Sequence, residues 1–290
     1  MFENKKVLIL EGGGFKTSFS AGVMDAFQIQ EYNPFNAYIG VSGGCIAISY
    51  FLSKQYGYFY QCMRTLCQDD RFVKYTKAFS EGLMNLDFFN DIAYKEYPFD
   101  FNSAINELNG KEYYIVLTNS SDGSTEYHQP TRENWVDMTI AASTVPVLTK
   151  GKHLVNEVHY SDGGISDPIP IKWAVENGAT DIVLLRTTHH NFKPSLLRPE
   201  YFASKFIRAN EKIKSDIENY QLKVKESIDY IECLPSHIKI DQIAPDAILN
   251  SNVFTNSVKN VELDYRAGLE SGLNYIHSLK VKNRNVKILQ

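Results

Sequence analysis

Two glycine-rich turns close to the N-terminus, each entered from a short apolar run, limit what this chain can fold into. Val7-Leu8-Ile9-Leu10 leads into Glu11-Gly12-Gly13-Gly14-Phe15-Lys16, and Ala37-Tyr38-Ile39 leads into Gly40-Val41-Ser42-Gly43-Gly44. A short apolar run followed at once by glycine reads as a buried strand entering a sharp turn. The second turn fits G-x-S-x-G, which presents a serine hydroxyl on a strand-to-helix elbow at the positive end of the helix. The triple glycine offers a second bend whose backbone N–H groups are free to converge on one point. A nucleophile beside an anion cradle is the equipment of acyl transfer.

The rest of the chain supplies a frame for such a site. Tyr113–Thr118 and Asp181–Arg186 read as further buried strands. Ala21, Met24, Ala26, Phe27 and Ile29 give a helix with an apolar face, and Ile46, Ala47, Tyr50 and Phe51 recur at helical spacing after Ser42. The alternation predicts an α/β fold, a mostly parallel central sheet with helices on both sides in three layers. Ligands of such sheets bind at the carboxyl ends of the strands, where both glycine turns lie. His237–Ile243 is expected as a late edge strand, Val258–Leu279 as a final helix, and Arg198–Tyr230 as one long or two shorter polar helices. The last carries Lys205, Lys212, Lys214, Lys223 and Lys225 among Glu211, Asp216, Glu218 and Glu226, the pattern of a solvated face. Tyr56–Phe101 is crowded with aromatic residues, as expected of core helices beside the sheet, of an acyl-binding cap over Ser42, or of both. No repeat or linker divides the chain. One catalytic domain over 1–290 is expected, with the motifs in a core of about 5–190 and a helical region of about 191–290 packed on it.

Composition removes several function classes. The chain has 290 residues and a formal net charge of −4, so no global basic surface argues for nucleic acid. Cys45, Cys62, Cys67 and Cys233 are scattered without C-x-x-C spacing, which suggests neither a metal site nor a disulfide framework and fits reduced thiols in the cytoplasm. Six residues precede the first strand, too few for a charged head and an apolar leader. The apolar stretch Tyr38–Leu52 is broken by three glycines and is shorter than a bilayer span. Any membrane contact is therefore expected to be peripheral.

The triple glycine does not fit a nucleotide site. A P-loop needs glycines where Leu10 and Phe15 stand, and a dinucleotide fingerprint needs a small residue in place of Thr17. Lys16 is either a positive charge near the turn or a solvated cation. The base that would activate Ser42 has two candidates. His189 and His190 follow the strand Asp181–Arg186, late in the chain as a hydrolase triad requires. Asp162-Gly163-Gly164 reads as an ordinary Asp–Gly turn, yet Ile165-Ser166-Asp167-Pro168-Ile169-Pro170 follows it, the composition of a rigidly held loop.

Taken in order, G-G-G-x-K, G-V-S-G-G and D-G-G make the chain resemble the patatin-like phospholipases. Ala141-Ala142-Ser143-Thr144-Val145-Pro146, Asp167-Pro168-Ile169-Pro170 and Gly178-Ala179 are similar to stretches of that family, and the likeness runs from about Lys5 to Arg186. It implies that Ser42 is the nucleophile and Asp162 its sole side-chain partner, a dyad without histidine. It also implies that backbone N–H groups of the Gly12, Gly13 and Gly14 turn hold the oxyanion, with Lys16, Gly40, Gly43, Gly44, Gly163 and Gly164 shaping the turns. No cofactor and no metal belong to this chemistry. The expected substrate is a lipid ester: phospholipid, lysophospholipid or acylglycerol. Two positions depart from the family pattern. Thr17 replaces a glycine and is expected to crowd the turn or narrow substrate access; Asp167 replaces an asparagine and brings negative charge towards Asp162. A histidine-dependent esterase and a catalytically silent lipid-binding protein on the same fold are the competing readings.

Overall fold

The computed structural model describes residues 2, 5–72, 84–146, 148–150, 153–192, 209–255 and 257–288. Its middle layer is an eight-stranded sheet. The strands are β1 (Lys6–Leu10), β2 (Ala37–Val41), β3 (Glu112–Asn119), β4 (Thr125–His128), β5 (Leu154–Val155), β6 (Val158–Asp162), β7 (Asp181–Leu185) and β8 (Lys239–Ile243). They lie side by side as β8-β7-β1-β2-β3-β6-β5, with β4 also paired to β3. The run from β8 to β3 is parallel, whereas β4 and β6 pair antiparallel with β3, and β5 with β6. All four buried strands read from the sequence are present, and the late edge strand is parallel at the sheet margin.

Both faces of this sheet are buried, so its strands are almost wholly apolar. Side chains alternate with the pleat. Leu8, Leu10, Tyr38, Tyr113, Ile115, Leu117, Val183 and Leu185 belong to one core cluster. Val7, Ile9, Ile39, Val41, Tyr114, Val116, Ile182 and Leu184 belong to the other. The first face is covered by α1 (Ser18–Ile29), α2 (Gly43–Leu52), α3 (Tyr58–Gln68) and the C-terminal helix Val258–Ile288; the second by the helices Ile171–Glu176 and Tyr220–Glu232. The polar helical region is two helices, Glu211–Glu218 and Tyr220–Glu232; the expected segment from Arg198, with Lys205, lies outside the described residues up to 208.

Helix α1 is buried from Ser18 to Phe27 because the C-terminal helix crosses it at backbone distance. A Cβ on Gly268 would fall onto the carbonyl of Phe19, and one on Gly22 onto the carbonyl of Tyr265. Only glycine permits so close an approach. Asp25 of α1 fastens the crossing: it accepts the Tyr265 hydroxyl at 2.8 Å and the Gly57 N–H, at the start of α3, at 3.2 Å. Burial holds the Asp25 carboxyl up, at about 6.

The crossing is open to measurement. Gly268→Ala is expected to cost about 1–3 kcal/mol through overpacking, read as a fall of several degrees in Tm. An unchanged transition would show that the two helices are not spaced by this glycine.

Candidate active site

The register of β3 puts two distant residues at one level. Val41, the last residue of β2, is paired with Val116 of β3, so Ser42 follows at the level of Leu117. Leu117 is paired on its other side with Asp162, the last residue of β6. Ser42 and Asp162 thereby meet across β3, on the face that α2 covers. The Ser42 hydroxyl lies close enough to the Asp162 carboxyl to lower its proton affinity, and both line one cleft.

Each turn is held by steric necessity. Ser42 has φ 52° and ψ −130°, a backbone shape that a serine adopts only when its surroundings impose it. The imposing contacts come from glycines. A Cβ on Gly40 would stand 2.8 Å from Cα of Cys45, and one on Gly44 would stand 2.7 Å from the carbonyl oxygen of Leu10. Helix α2 therefore begins directly at Ser42, packed onto β1 and β2, and the Cys45 N–H donates to the Ser42 carbonyl at 2.9 Å. On the other turn Gly13 has φ 141° and Gly14 φ 56°, both in the left-handed half of backbone space. The N–H groups of Gly13 and Gly14 find no backbone acceptor among the described residues. A Cβ on Gly12 would lie 2.6 Å from Cβ of Ser42, so the two turns touch.

A polar brace that sequence reading missed fixes the triple-glycine turn from behind. Glu11 is buried, and its carboxylate accepts the N–H of Thr187 at 2.8 Å, the N–H of Thr188 at 3.1 Å and the Thr188 hydroxyl. The Thr187 hydroxyl donates to the Gly12 carbonyl at 2.5 Å. The signal was available: an acidic residue placed directly after a buried apolar run needs buried donors. Lys16 folds back over the same turn, with Cε 3.0 Å from where a Gly13 Cβ would be, and its N–H donates to the Gly13 carbonyl at 3.1 Å.

The surroundings of Asp162 raise its proton affinity. It is 6% exposed and Ser42 is 9% exposed, so the pair is nearly dry. Burial raises the Asp162 carboxyl from its ordinary 3.8 to about 6. The Ser42 hydroxyl and the Gly164 N–H, which donates to Oδ1 at 2.8 Å, pull it partly back. Gly163 lies against the Val116 carbonyl with no room for a side chain, and the Thr118 hydroxyl donates to the Asp162 carbonyl at 2.8 Å. The carboxylate is thus aimed from both flanks.

The two departures from the family pattern are placed differently: Thr17 lines the cleft with Ser42 and Asp162, whereas Asp167 does not. Asp167 turns towards Tyr127, whose hydroxyl donates to it at 2.5 Å, with Lys223 as the nearby cation. Lys223 also donates to the Ser166 carbonyl at 3.0 Å and pairs with Asp216 at 2.8 Å, so this lysine braces the loop after Asp162 and is not merely solvated. Thr17 does crowd its turn: its hydroxyl donates to the Gly14 carbonyl at 2.6 Å, and a Cβ on Gly43 would meet Oγ1 at 2.8 Å. None of the seven histidines lines the cleft, and His190 is exposed.

The cleft, about 600 Å³ with the space open to solvent included, is walled mainly by Phe15, Ile46, Phe59, Met63, Leu66, Phe72, Met84, Leu86, Phe89, Val145 and Val253. Phe59, Phe72, Phe88 and Phe89 are core residues, and Phe59, Phe72 and Phe89 also wall the cleft. The aromatic segment thus supplies both core residues and part of the cleft wall; Tyr75 and Phe79 lie outside the described residues. Ile46 and Val253 were given no such place by sequence reading. No group of three or more potential metal-ligating side chains occurs among the described residues.

Asp162 makes stability depend on pH in a defined direction. Its folded-state pKa is raised, so below about pH 4 it is protonated in both states and costs nothing. Above about pH 6 it is charged in both and carries the full burial penalty. Asp162→Asn is therefore expected to gain stability relative to the parent as pH rises from about 4 to 6, by up to ~3 kcal/mol at about 1.4 kcal/mol per unit. Urea unfolding at both ends of that window measures it, and a difference that does not change with pH would contradict the raised carboxyl.

Comparison with known proteins gives the family of this chain. The family model Patatin-like phospholipase matches residues 8–175, and a domain of unknown function, DUF6363, matches residues 210–281. The uncharacterized protein YjjU of Escherichia coli is 28% identical over 277 residues, covering 90% of this chain and 74% of that protein. VipD from Legionella pneumophila aligns over 94% of this chain and 67% of its own, at TM-score 0.43 and 12% identity, too weak a likeness to add to the family match. The family match spans both glycine turns, Ser42 and Asp162, and this chain belongs to the patatin-like phospholipases.

Proposed function

We propose that this protein is a serine acyl hydrolase that cleaves carboxylic ester bonds of lipids through Ser42 and Asp162. The observation that carries the reading is the juxtaposition of buried Ser42 and Asp162 in the lining of one apolar cleft, with the carboxyl raised to about 6. A carboxylate in water is a weak base towards an alcohol. Removed from water, it gains proton affinity while remaining mostly ionised at neutral pH.

The Asp162 carboxylate takes the Ser42 proton as Oγ attacks the ester carbonyl carbon. The carbonyl oxygen becomes an oxyanion facing the free N–H groups of Gly13 and Gly14, which are already fixed and need no reorganisation. Collapse of the tetrahedral intermediate breaks the carbon–oxygen bond to the alcohol. Asp162 returns its proton to the departing alkoxide and leaves an acyl-serine. Water then adds to the acyl carbon as Asp162 takes its proton, and the second collapse releases the fatty acid while Asp162 gives the proton back to Ser42. No metal or cofactor enters either half. The apolar wall favours an acyl chain over a polar substituent, and lipid esters present such chains at a membrane surface. The described residues contain no helix long and apolar enough to cross a membrane, so the reading uses peripheral contact.

A fluorophosphonate probe is expected to label the protein and to fail on Ser42→Ala. A well-folded parent that binds lipid but stays unlabelled would instead be a silent lipid-binding protein. Asp162→Asn is expected to lower kcat by about 100-fold or more, since general-base contributions are of that size. Substitution of His128, His153, His189 or His190 is expected to leave ester hydrolysis in place. Loss of activity with one of them, and survival with Asp162→Asn, would replace the dyad by a histidine-dependent mechanism. In the parent, kcat/KM is expected to rise with pH through a midpoint of about 6, as Asp162 loses its proton.

A further inference from the structure

The C-terminal region carries no motif for the chemistry above, yet one of its loops reaches the cleft. Val253 lines the same cleft as Ser42 and Asp162. It also lies directly on the triple-glycine turn: a Cβ on Gly14 would stand 2.5 Å from the Val253 carbonyl oxygen, 2.9 Å from its Cα and 3.0 Å from its Cγ1. The residue is half-buried, and its side chain lines the cleft while its Cγ1 lies against the Gly14 end of the turn.

The loop is built to hold that position. Asp264 of the C-terminal helix is 1% exposed, and its carboxylate accepts the Asn250 N–H at 2.9 Å, the Asn250 side-chain amide at 2.9 Å and the Ser251 N–H at 2.7 Å. The Asn260 amide donates to the Asn250 carbonyl at 2.9 Å. Within the loop, the Asn252 N–H donates to the Thr255 hydroxyl and the Phe254 N–H to the Asn252 side chain, each at 2.8 Å. The helix that carries Asp264 is locked against α1 through Gly22 and Gly268, and α1 follows directly from the triple-glycine turn. Val253 and Gly14 are therefore referred to the same helix pair, and their separation is fixed from both sides.

We propose that Val253 is a specificity-determining residue of the cleft, setting the bulk of acyl chain accepted beside the Gly13–Gly14 turn, and that the C-terminal region completes the active site through it. A valine is compact and β-branched, so it fills the corner with one rotamer and leaves the apolar channel open past it. A tryptophan there would occupy the channel, and pocket walls of this kind discriminate by about one to two orders of magnitude per misfit. The inference rests on the acyl-hydrolase reading for the identity of the ligand but not for the shape of the wall.

The test has two arms. In the first, kcat/KM is measured on p-nitrophenyl butyrate and p-nitrophenyl palmitate for the parent, Val253→Ala and Val253→Trp. Val253→Trp is expected to lose about tenfold more on palmitate than on butyrate, and Val253→Ala to shift the ratio towards palmitate. In the second, the Ser42→Ala protein, alone or combined with Val253→Ala or Val253→Trp, is titrated with a fluorescent long-chain fatty acid; the tryptophan is expected to weaken binding about tenfold. Equal scaling of both esters together with unchanged binding would overturn the proposal. A parent that hydrolyses neither ester and resists fluorophosphonate would sink the hydrolase reading alone, leaving the titration to decide the role of Val253. Should the tryptophan variant fail to fold, an alanine variant with the parent's ester ratio would overturn the proposal, and a ratio shifted towards palmitate would sustain it.

Discussion

The site depends on the pairing register of one central strand. Glu112–Asn119 is hydrogen-bonded on one side to the strand that ends at Val41 and on the other to the strand that ends at Asp162. A slip of one residue on either side would turn Asp162 or Ser42 to the opposite face of the sheet. What prevents a slip is burial on both faces: Tyr113, Ile115 and Leu117 are committed to one core cluster, Tyr114 and Val116 to the other. Serine and aspartate are thereby brought together by apolar packing that has no chemistry of its own.

Around this register the molecule accepts local strain and local charge, each compensated nearby. The backbone at Ser42 is held in a left-handed shape by the close approach of α2 to β1 and β2, which Gly40 and Gly44 allow. Asp162 carries the cost of burial, and the Gly164 N–H and the Ser42 hydroxyl offset part of it. Glu11 is equally buried but is satisfied by three donors from Thr187 and Thr188. The contrast separates two uses of a buried carboxylate. One with several donors is a brace, and one with few donors and a raised proton affinity is available to take a proton.

The C-terminal region has the same relation to the site that β3 has: it contributes position and no motif. Lys223 braces the loop after Asp162 through Ser166 and Asp216, and Asp264 braces the loop that carries Val253 against Gly14. Both contacts come from charged residues on helices of the C-terminal region. Charge on such helices is ordinarily spent on solvent. Here two of the charged groups are turned inward because the backbone carbonyl and N–H groups of the adjacent loops need partners.

Much of this was legible in the sequence, and for one reason: it is short-range. An apolar run followed by glycine specifies a strand and its turn within a few residues, so β1, β2, the elbow at Ser42 and the start of α2 follow from local sterics. The alternation of such runs with helical spacing gave the three-layer plan, and the ordered motifs pointed to Asp162 over the histidines. Other features were decided only in three dimensions. Nothing within Tyr113–Thr118 states which residue lies beside Ser42, since register is set by burial against other elements. The proton affinity of Asp162 comes from its depth. The roles of Glu11, Lys223 and Val253 come from partners 176, 57 and 239 positions away. Turns are written in neighbouring residues, whereas burial, register and the walls of a cleft exist only once distant parts of the chain have displaced the water between them.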